Sequence, residues 1–183
     1  FGKDGPANQD VVIPAGVKSG YTEVSTTFSA PSDQAGLQCL AFGFLYASGE
    51  MYIADLKITD KDGSAVYDLN GDTTLDGMTE FQNTNTWSYS LYGAQEGATF
   101  SVYNAPYSPD RYLKITSTTN AQPQLRLGTP VSQYPADKGP YTVTLKMKVD
   151  NFAGINGNAG ALEFKNFGKD GPANQDVVIP AGV

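Results

Sequence analysis

Apolar and polar residues alternate along much of the chain with a period of two, which is typical of β-strands that are buried on one face. The longest such stretch is YTVTLKMKVDNF, residues 141–152, where every second residue from Val143 to Val149 is apolar and the residues between are threonine or lysine. RYLKITST, PQLRLG, ATFSVYN and YTEVSTTFSA follow the same pattern. The pattern predicts a strand over each of these stretches, with one buried and one solvent-facing side.

Other stretches predict strands of different kinds. LQCLAFGFLYA, residues 37–47, is apolar at both alternations, which is typical of a central strand covered on both faces. EMYIADLKITDKDGSAVYDL, residues 50–69, predicts a β-hairpin in which Asp62 and Gly63 are turn residues that tolerate a positive φ. QDVVIPAG predicts a short strand that ends at a proline, and this stretch occurs twice.

Helical periodicity is nearly absent, since no run of a dozen residues repeats its apolar positions every 3.6 residues. Short strands separated by glycine, asparagine, aspartate and proline are typical of all-β domains. We therefore predict an all-β fold, specifically a β-sandwich or jelly roll made of two antiparallel sheets.

A perfect repeat changes how the strands are ordered. The stretch FGKDGPANQDVVIPAGV, Phe1 to Val17, returns unchanged as Phe167 to Val183, so the repeat has a period of 166 residues. Three explanations stay open: a window of a longer tandem array, an engineered permutant with overlapping ends, or a spare strand for a neighbouring molecule. Each explanation implies a unit of 166 residues, and the ends of the chain fall inside that unit rather than at its boundaries.

The seam between consecutive units is predicted in the polar, turn-rich stretch DLNGDTTLDG, residues 68–77. Residues 1–71 would then be the C-terminal part of a jelly-roll unit, and residues 72–183 the N-terminal part of the same or the next unit. In this order the unit runs from Asp72 to Val183 and continues from Lys18 to Gly71, because Val17 already joins Lys18.

Read in that order, four stretches resemble the strands of carbohydrate-binding modules of the family 4/9/22 type, which are β-jelly rolls attached to bacterial polysaccharide-degrading enzymes. They are TEFQNTNTW, GPYTVTLKMKV, YTEVSTTFSAP and MYIADLKITD. The chain departs from the family pattern at Tyr21, where tryptophan is usual, at Ala54-Asp55, where two aspartates are usual, and at Glu80-Phe81, where the order is reversed. The resemblance implies a jelly roll that binds a polysaccharide.

Composition and charge narrow the classes of function. The net charge is −7 and charged residues make up 17% of the chain, so there is no basic patch for phosphates, and nucleic acid is not an expected partner. No stretch reaches the ~20 apolar residues of a membrane span, so we predict no membrane insertion. Many glycines, serines, threonines, asparagines and tyrosines suggest an extracellular or cell-surface protein.

Catalysis is not expected. The chain has no histidine and a single cysteine, Cys39, so it cannot form a Ser-His-Asp triad, a Cys-His pair or a histidine-based metal site. Pairs of carboxylates hydrolyse glycosides in other proteins, but the glutamates here lie in ordinary strand-edge and loop contexts. We predict that the protein is not an enzyme.

A sugar-binding surface is predicted from flat aromatic side chains together with amide and guanidinium groups, which match the apolar faces and hydroxyl rims of a glycan. Tyr112 shares the polar face of one predicted strand with Lys114, and Gln124 shares that of the next with Arg126. If the two strands are neighbours in one sheet, these groups form the floor of a cleft. Trp87 and Tyr92 lie in a loop-like stretch that could form a wall of the cleft. The predicted ligand-binding residues are therefore Trp87, Tyr92, Tyr103, Tyr112, Gln124 and Arg126. Packing of the tyrosines inside the sheet is the competing interpretation.

Calcium is a further expectation. Asp68, Asn70 and Asp72 have the alternate spacing of oxygen ligands in a calcium loop, although Asp, Asn and Gly also form ordinary solvated turns in linkers. The family resemblance implies a competing structural calcium site at Asp55 and Glu80.

Two functions follow from the sequence. In the first, the protein is a non-catalytic, carbohydrate-binding-module-like repeat of a secreted or cell-surface bacterial protein that binds a neutral polysaccharide. In the alternative, it is a structural repeat of a surface filament or adhesin stalk. Neighbouring copies would then assemble by tandem linkage or by exchange of residues 1–17 or 167–183, since an exposed apolar strand pairs with a free sheet edge.

Overall fold

The computed structural model describes residues 8–10, 15–28, 38–76, 87–92, 98–104, 111–118, 122–128, 134–154 and 161–167. These residues form an all-β structure, as predicted, and they include single turns of 3-10 helix but no α-helix. None of their helices is long and apolar enough to cross a membrane. The eleven strands are β1 (Asn8–Asp10), β2 (Thr22–Phe28), β3 (Gln38–Leu45), β4 (Ala47–Thr59), β5 (Ala65–Asp68), β6 (Trp87–Tyr92), β7 (Ala98–Asn104), β8 (Arg111–Ser117), β9 (Gln122–Gly128), β10 (Tyr141–Gly154) and β11 (Ala161–Phe167).

The strands form two antiparallel sheets. The five-stranded sheet has the order β1-β11-β3-β9-β6. The six-stranded sheet has the order β2-β10-β4-β8-β7, with β5 added beside β4. Each sheet therefore combines strands that lie before and after Asp72 in the sequence, and β4 is paired on its two sides with β10 and β8.

The alternation in the sequence correctly predicts which residues are buried. In β10, the side chains of Val143, Leu145, Met147 and Val149 are buried, and the residues between them are partly or fully exposed. In β8, Leu113 and Ile115 are buried in the same way. The period of two fixes this result, because successive side chains of a strand point to opposite faces.

The apolar stretch of residues 37–47 forms the centre of the five-stranded sheet. Strand β3 is paired with β11 on one side and with β9 on the other. Leu40, Ala41, Phe42 and Phe44 have no exposed surface, which confirms the predicted central strand covered on both faces.

The predicted hairpin is formed by β4 and β5. At the turn, the Oδ1 atom of Asp60 accepts hydrogen bonds from the backbone N–H groups of Asp62, at 3.0 Å, and Ser64, at 2.8 Å. Gly63 adopts a φ of 82°, a left-handed conformation that glycine reaches without steric cost. Asp62 and Gly63 therefore form the turn, as predicted.

The core is one cluster of buried side chains drawn from both sheets. It includes Leu69 and Leu75, which have no exposed surface and lie in the stretch where the sequence predicts a seam between two units. The expectation of a solvated turn is therefore wrong for these two leucines. The division into residues 1–71 and 72–183 stays a prediction.

The two copies of the repeated stretch differ in how much of each is described. In the first copy, Asn8–Asp10 forms β1 and Val17 is fully buried in the core. In the second copy, only Phe167 is described, as the last residue of β11, and residues 168–183 lie outside the described residues. The three explanations of the repeat therefore stay predictions.

Candidate functional site: a tyrosine cluster on the six-stranded sheet

The outer face of the six-stranded sheet carries aromatic and charged side chains in cross-strand rows. Tyr52 of β4 lies directly opposite Lys114 of β8 on one side and Lys148 of β10 on the other. In the next row Ala54 lies between Tyr112 of β8 and Lys146 of β10. Side chains directly opposite each other in antiparallel strands share a face, with Cβ atoms ~5 Å apart. This arrangement brings Tyr52 onto one surface with Tyr112, Lys114 and Lys148, which lie 60 or more positions away in the sequence.

We call the group of Tyr21, Tyr52 and Tyr112 the tyrosine cluster. The ring centroids of Tyr52 and Tyr112 are 5.9 Å apart and their planes are tilted by 51°. This separation falls within the range of attractive aromatic pairs. The side chains of Tyr52 and Tyr112 are partly exposed, so the pair presents ring surface to solvent.

Two lysines lie over the ring of Tyr52. The Nζ atom of Lys148 is 5.1 Å from the ring centroid and that of Lys114 is 5.4 Å from it, both within cation–π distance. The hydroxyl of Tyr52 donates a hydrogen bond to Oε2 of Glu50 at 3.1 Å. These contacts hold the ring of Tyr52 in one orientation.

Tyr21 joins the cluster from the residue before β2. Its side chain is 37% exposed, which makes it one of the two most exposed large hydrophobic residues described. The pKa of Tyr21 is raised to about 12, mainly by burial and in addition by the nearby phenols of Tyr112 and Tyr52 and the carboxylate of Asp150. Thr22 lies opposite Met147 in the pairing of β2 with β10, so Tyr21 lies at the end of this pairing, next to Lys148.

Each lysine of this surface is paired with a carboxylate. Lys114 forms an ion pair with Glu50, and its Nζ hydrogen bond lowers the pKa of that carboxyl group. The Nζ atom of Lys148 is 2.7 Å from Oδ2 of Asp150. The surface therefore offers both hydrogen-bond donors and acceptors with little net charge.

A β-bulge shapes one end of the surface. The register of β4 against β10 shifts between the Lys146–Ala54 and Thr144–Lys57 pairs, so that β4 contains one extra residue. Asp55 lies at this point with a φ of 52°, and its Oδ2 atom is 2.8 Å from the Nζ atom of Lys146. The hydrogen bond from Lys146 lowers the pKa of Asp55. Beside the bulge, between β2 and β10, a depression of about 340 Å³ is lined by Glu23, Val24, Ser25, Asp55, Thr144, Leu145 and Lys146.

The predicted sugar-binding residues are distributed over both sheets. Tyr112 and Tyr103 lie directly opposite each other in β8 and β7 of the six-stranded sheet. Gln124 and Arg126 belong to β9, which is part of the five-stranded sheet. The prediction of one cleft floor shared by Tyr112, Gln124 and Arg126 is therefore wrong, because consecutive strands β8 and β9 enter different sheets.

The predicted wall of the cleft is also different. Trp87 and Tyr92 are the first and last residues of strand β6, rather than residues of a loop. Trp87 is opposite Leu127 and Tyr92 is opposite Gln122 in the edge pairing of β6 with β9. The side chains of Trp87, Tyr92, Tyr103, Gln124 and Arg126 lie outside the described residues, so their part in binding stays a prediction.

The predicted calcium loop forms two capped turns. Asp68 caps the first by accepting a hydrogen bond from the backbone N–H of Asn70 at 3.1 Å, and its Oδ2 atom is 3.0 Å from Nζ of Lys57. Asp72 caps the second by accepting from the backbone N–H of Thr74, and its Oδ2 atom accepts from the hydroxyl of Tyr67 at 2.8 Å. Both aspartates are therefore engaged by donors of the protein itself.

The predicted metal ligands are only partly brought together. Asn70 donates from Nδ2 to Oδ1 of Asp55 at 3.5 Å, which links the two predicted sites, and Glu80 lies outside the described residues. Among the described residues there is no group of three or more histidine, cysteine, aspartate or glutamate side chains that could hold a metal ion. Calcium binding stays a prediction.

Sequence reasoning missed Tyr52, Glu50 and Lys148 as members of the site. The alternation in EMYIAD contains the signal, since Met51 and Ile53 are the inward residues and Glu50 and Tyr52 therefore face outward. What the alternation does not contain is the pairing of β4 between β10 and β8.

Comparison of the chain with protein families, with curated proteins and with solved structures finds no match. The function must therefore be argued from the surface itself.

Proposed function

We propose that the protein is a non-catalytic, carbohydrate-binding-module-like repeat of a secreted or cell-surface bacterial protein, and that the tyrosine cluster binds a neutral polysaccharide. The observation that carries the proposal is the contact of two partly exposed tyrosines, Tyr52 and Tyr112, with paired lysines and carboxylates on one sheet face, beside the exposed Tyr21. The proposed fold is a jelly-roll sandwich, which is supported by two antiparallel sheets whose buried side chains form one core cluster.

The chemistry of the cluster suits a sugar ring. Aromatic rings present an apolar surface to the C–H groups of a sugar, and fixed polar groups beside them orient its hydroxyls. The rings of Tyr52 and Tyr112 supply the first component, while Glu50 and Lys114 supply acceptors and donors in the adjoining row. The ion pairs hold these groups in place before a ligand arrives, which reduces the entropy lost on binding.

The charge balance favours a neutral ligand. Lys114, Lys146 and Lys148 each have a carboxylate partner, so no unpaired cation among them is available for an acidic sugar. The chain as a whole carries a net charge of −7, which repels anionic polymers at long range. A β-glucan, a xylan or starch is therefore expected to bind better than an acidic glycan.

The experiment is affinity electrophoresis of the 183-residue chain through gels that contain a panel of neutral polysaccharides, followed by calorimetric titration of the one that retards it. We expect Tyr112→Ala to weaken binding by roughly 10-fold or more, because a stacking ring typically contributes one to a few kcal/mol. Tyr46→Ala is the matched control, since Tyr46 is 47% exposed and lies outside the cluster.

The variant Arg126→Ala tests which of the two sheets binds the ligand. With the ligand on the six-stranded sheet, this substitution leaves the affinity unchanged, because Arg126 belongs to the five-stranded sheet. Loss of binding in Arg126→Ala with none in Tyr112→Ala would contradict the proposed site. Failure of every neutral polysaccharide to retard the chain would contradict the proposed function.

A second function, a structural repeat of a filament or adhesin stalk, is favoured by the pairing of the first repeated segment. Asn8–Asp10 already occupies the edge beside β11, and Val17 is already in the core. The sequence thus contains a second segment with identical chemistry for the same kind of edge. Sedimentation velocity over a concentration series tests this function, since exchange of that segment increases the mass with concentration. A constant monomer mass would contradict exchange between molecules.

A further inference from the structure

The depression beside the β-bulge lies on the same sheet as the tyrosine cluster and has a different chemistry. Its volume of about 340 Å³ is at the lower end of the range found for ligand pockets. Val24 and Leu145 line it and are almost fully buried, whereas Ser25 and Thr144 line it and are exposed. Among the described residues that line the depression, none is aromatic. A space of this size and lining suits one small polar ring that is held by hydrogen bonds rather than by stacking.

The strand register places the depression next to the tyrosine cluster. Lys146, which lines the depression, lies in the same cross-strand row as Tyr112, with only Ala54 of β4 between them. Glu23, another lining residue, lies opposite Lys146 on its other side. Neighbouring strands are ~4.8 Å apart, so the depression begins about two strands, or ~10 Å, from Tyr112. The cluster and the depression therefore belong to one continuous surface.

The depression lies to one side of the line of rings. Tyr112 belongs to β8, Tyr52 to β4, and Tyr21 immediately precedes β2, so a sugar chain that stacks on the rings crosses the strands. Ser25 and Thr144 lie opposite each other, two rows further along the strands than Tyr21. Successive rows on one face are ~7 Å apart along the strand. A group that reaches the depression must therefore project sideways from a chain that lies on the rings.

The polar groups of the depression are fixed in place. Asp55 accepts a hydrogen bond from Nδ2 of Asn70 at 3.5 Å through Oδ1, and its Oδ2 atom is 2.8 Å from Nζ of Lys146. The bulge gives Asp55 a φ of 52° and places it on the lining of the depression. Carboxylates accept hydrogen bonds from sugar hydroxyls, and the ammonium of Lys146 donates them. These groups hold a hydroxyl-rich ring without first having to be ordered.

We propose that the depression is a specificity subsite for a branch, and that it takes a single neutral sugar unit attached to the polysaccharide backbone that stacks on the tyrosine cluster. The protein then binds a branched polysaccharide in preference to the same backbone without branches. The lining contains two carboxylates, Glu23 and Asp55, and one ammonium, Lys146, so an acidic branch is disfavoured. This inference rests on the proposed function, because a branch reaches the depression only from a backbone that lies on the rings.

Pairs of glycans that share one backbone test the proposal on the 183-residue chain. The pairs are linear xylan with arabinoxylan, cellulose oligosaccharides with xyloglucan oligosaccharides, and amylose with amylopectin. In calorimetric titration, we expect the branched member of the bound pair to bind roughly 5- to 10-fold more tightly, because the branch adds a few hydrogen bonds. Equal affinity for the two members, or tighter binding of the linear one, would overturn the proposal.

The variant Ser25→Phe fills the depression. Ser25 is exposed on its lining, and phenylalanine is well accommodated in a strand. We expect the affinity for the branched member to fall to that for the linear member, which itself changes by less than about 2-fold. Thr27→Phe is the matched control, because Thr27 is exposed on the same face of β2 and does not line the depression. An equal effect of Thr27→Phe, or an equal loss for both members in Ser25→Phe, would contradict a branch subsite.

The variant Asp55→Asn tests the same subsite without added bulk. Asparagine tolerates the φ of 52° at this position, but it cannot form the ion pair with Lys146. We expect the preference for the branched member to fall by roughly 3-fold or more, with the affinity for the linear member unchanged. An undiminished preference would contradict a role of these polar groups in binding a branch.

The variant Tyr112→Ala distinguishes a failure of this inference from a failure of the proposed function. It removes a ring of the cluster, so it should weaken the binding of both members of the pair. If it does so while Ser25→Phe and Asp55→Asn alter neither affinity, the cluster binds the backbone and the branch subsite is refuted. If no member of any pair binds to the chain, the proposed function is refuted together with the inference.

Discussion

Leu75 offers a quantitative test of whether the polar segment of residues 68–77 contributes to the core. It lies in the 3-10 turn Thr73–Leu75, and its side chain has no exposed surface and belongs to the main cluster. Replacing a buried leucine by alanine removes its transfer free energy and leaves a cavity, at a typical cost of about 2 to 5 kcal/mol. For Leu75→Ala we expect a loss of about 3 kcal/mol in the free energy of unfolding. For a chain of this length that loss corresponds to a fall in Tm of roughly 6–12 °C.

The assay is urea unfolding followed by circular dichroism, which gives the free energy of unfolding of Leu75→Ala relative to the original chain. Thr73→Ala is the matched control, because Thr73 lies in the same turn and is exposed. It should change the free energy of unfolding by less than about 0.5 kcal/mol. If Leu75→Ala costs no more than Thr73→Ala, the segment is a solvated linker and the description of the core is wrong.

Three further predictions concern titration, the hairpin turn and calcium. The pKa of Tyr21 in the folded protein is about 12, above the ordinary 10.0, so the unfolded chain loses the phenol proton at a lower pH. The raised pKa of Tyr21 therefore contributes stability that is fully present below pH 10 and is lost as the pH rises towards 12. Tyr21→Phe should flatten the fall of Tm between pH 10 and 12, and an equally steep fall in that variant would contradict the assignment. Gly63→Ala should cost about 1 kcal/mol in urea unfolding, because its φ of 82° is strained for alanine, and an unchanged stability would contradict the turn geometry. Chelation by EDTA should lower the Tm by several degrees if Asp68, Asn70 and Asp72 hold calcium as predicted, and a Tm unchanged within about 1 °C would contradict the predicted calcium site.

The strands and their buried faces could be predicted because they depend on local sequence alone. In β10, the alternation from Val143 to Val149 specifies the inward side chains wherever the strand is placed. In β3, apolar residues at both alternations specify a strand covered on two faces. Gly63 specifies the turn between β4 and β5, because glycine adopts its positive φ of 82° without steric cost.

The candidate site could be predicted only in part, because it depends on which strands pair. The alternation predicts Tyr112 from its outward position in β8, but its neighbour Tyr52 comes from β4, some 60 positions earlier in the sequence. The sequence order places Gln124 beside Tyr112 because β9 follows β8, but alternation does not determine whether consecutive strands share a sheet. The bulge at Asp55 also escaped prediction, because a single extra residue in β4 appears only when the strand is paired with β10.

The burial of Leu69 and Leu75 in residues 68–77 differs from the prediction for a different reason. The aspartates, asparagine and glycine of this segment are turn formers, and the structure does use Asp68 and Asp72 as caps of two short turns. Leu69 lies in the turn that follows Asp68 and Leu75 lies in the turn that follows Asp72, and both leucines are buried. Polar composition is typical of an exposed linker, and it does not show that two apolar side chains in such a segment are buried in the core while most of the polar residues stay exposed.

The location of the ligand is tested most directly by hydroxyl-radical footprinting of the 183-residue chain with and without the polysaccharide that retards it. We predict that the bound polysaccharide protects Tyr21, Tyr52 and Tyr112 from oxidation, and that Tyr46, which is 47% exposed and outside the cluster, is oxidised equally in both samples. Equal oxidation of the three cluster tyrosines with and without the bound polysaccharide would contradict the account.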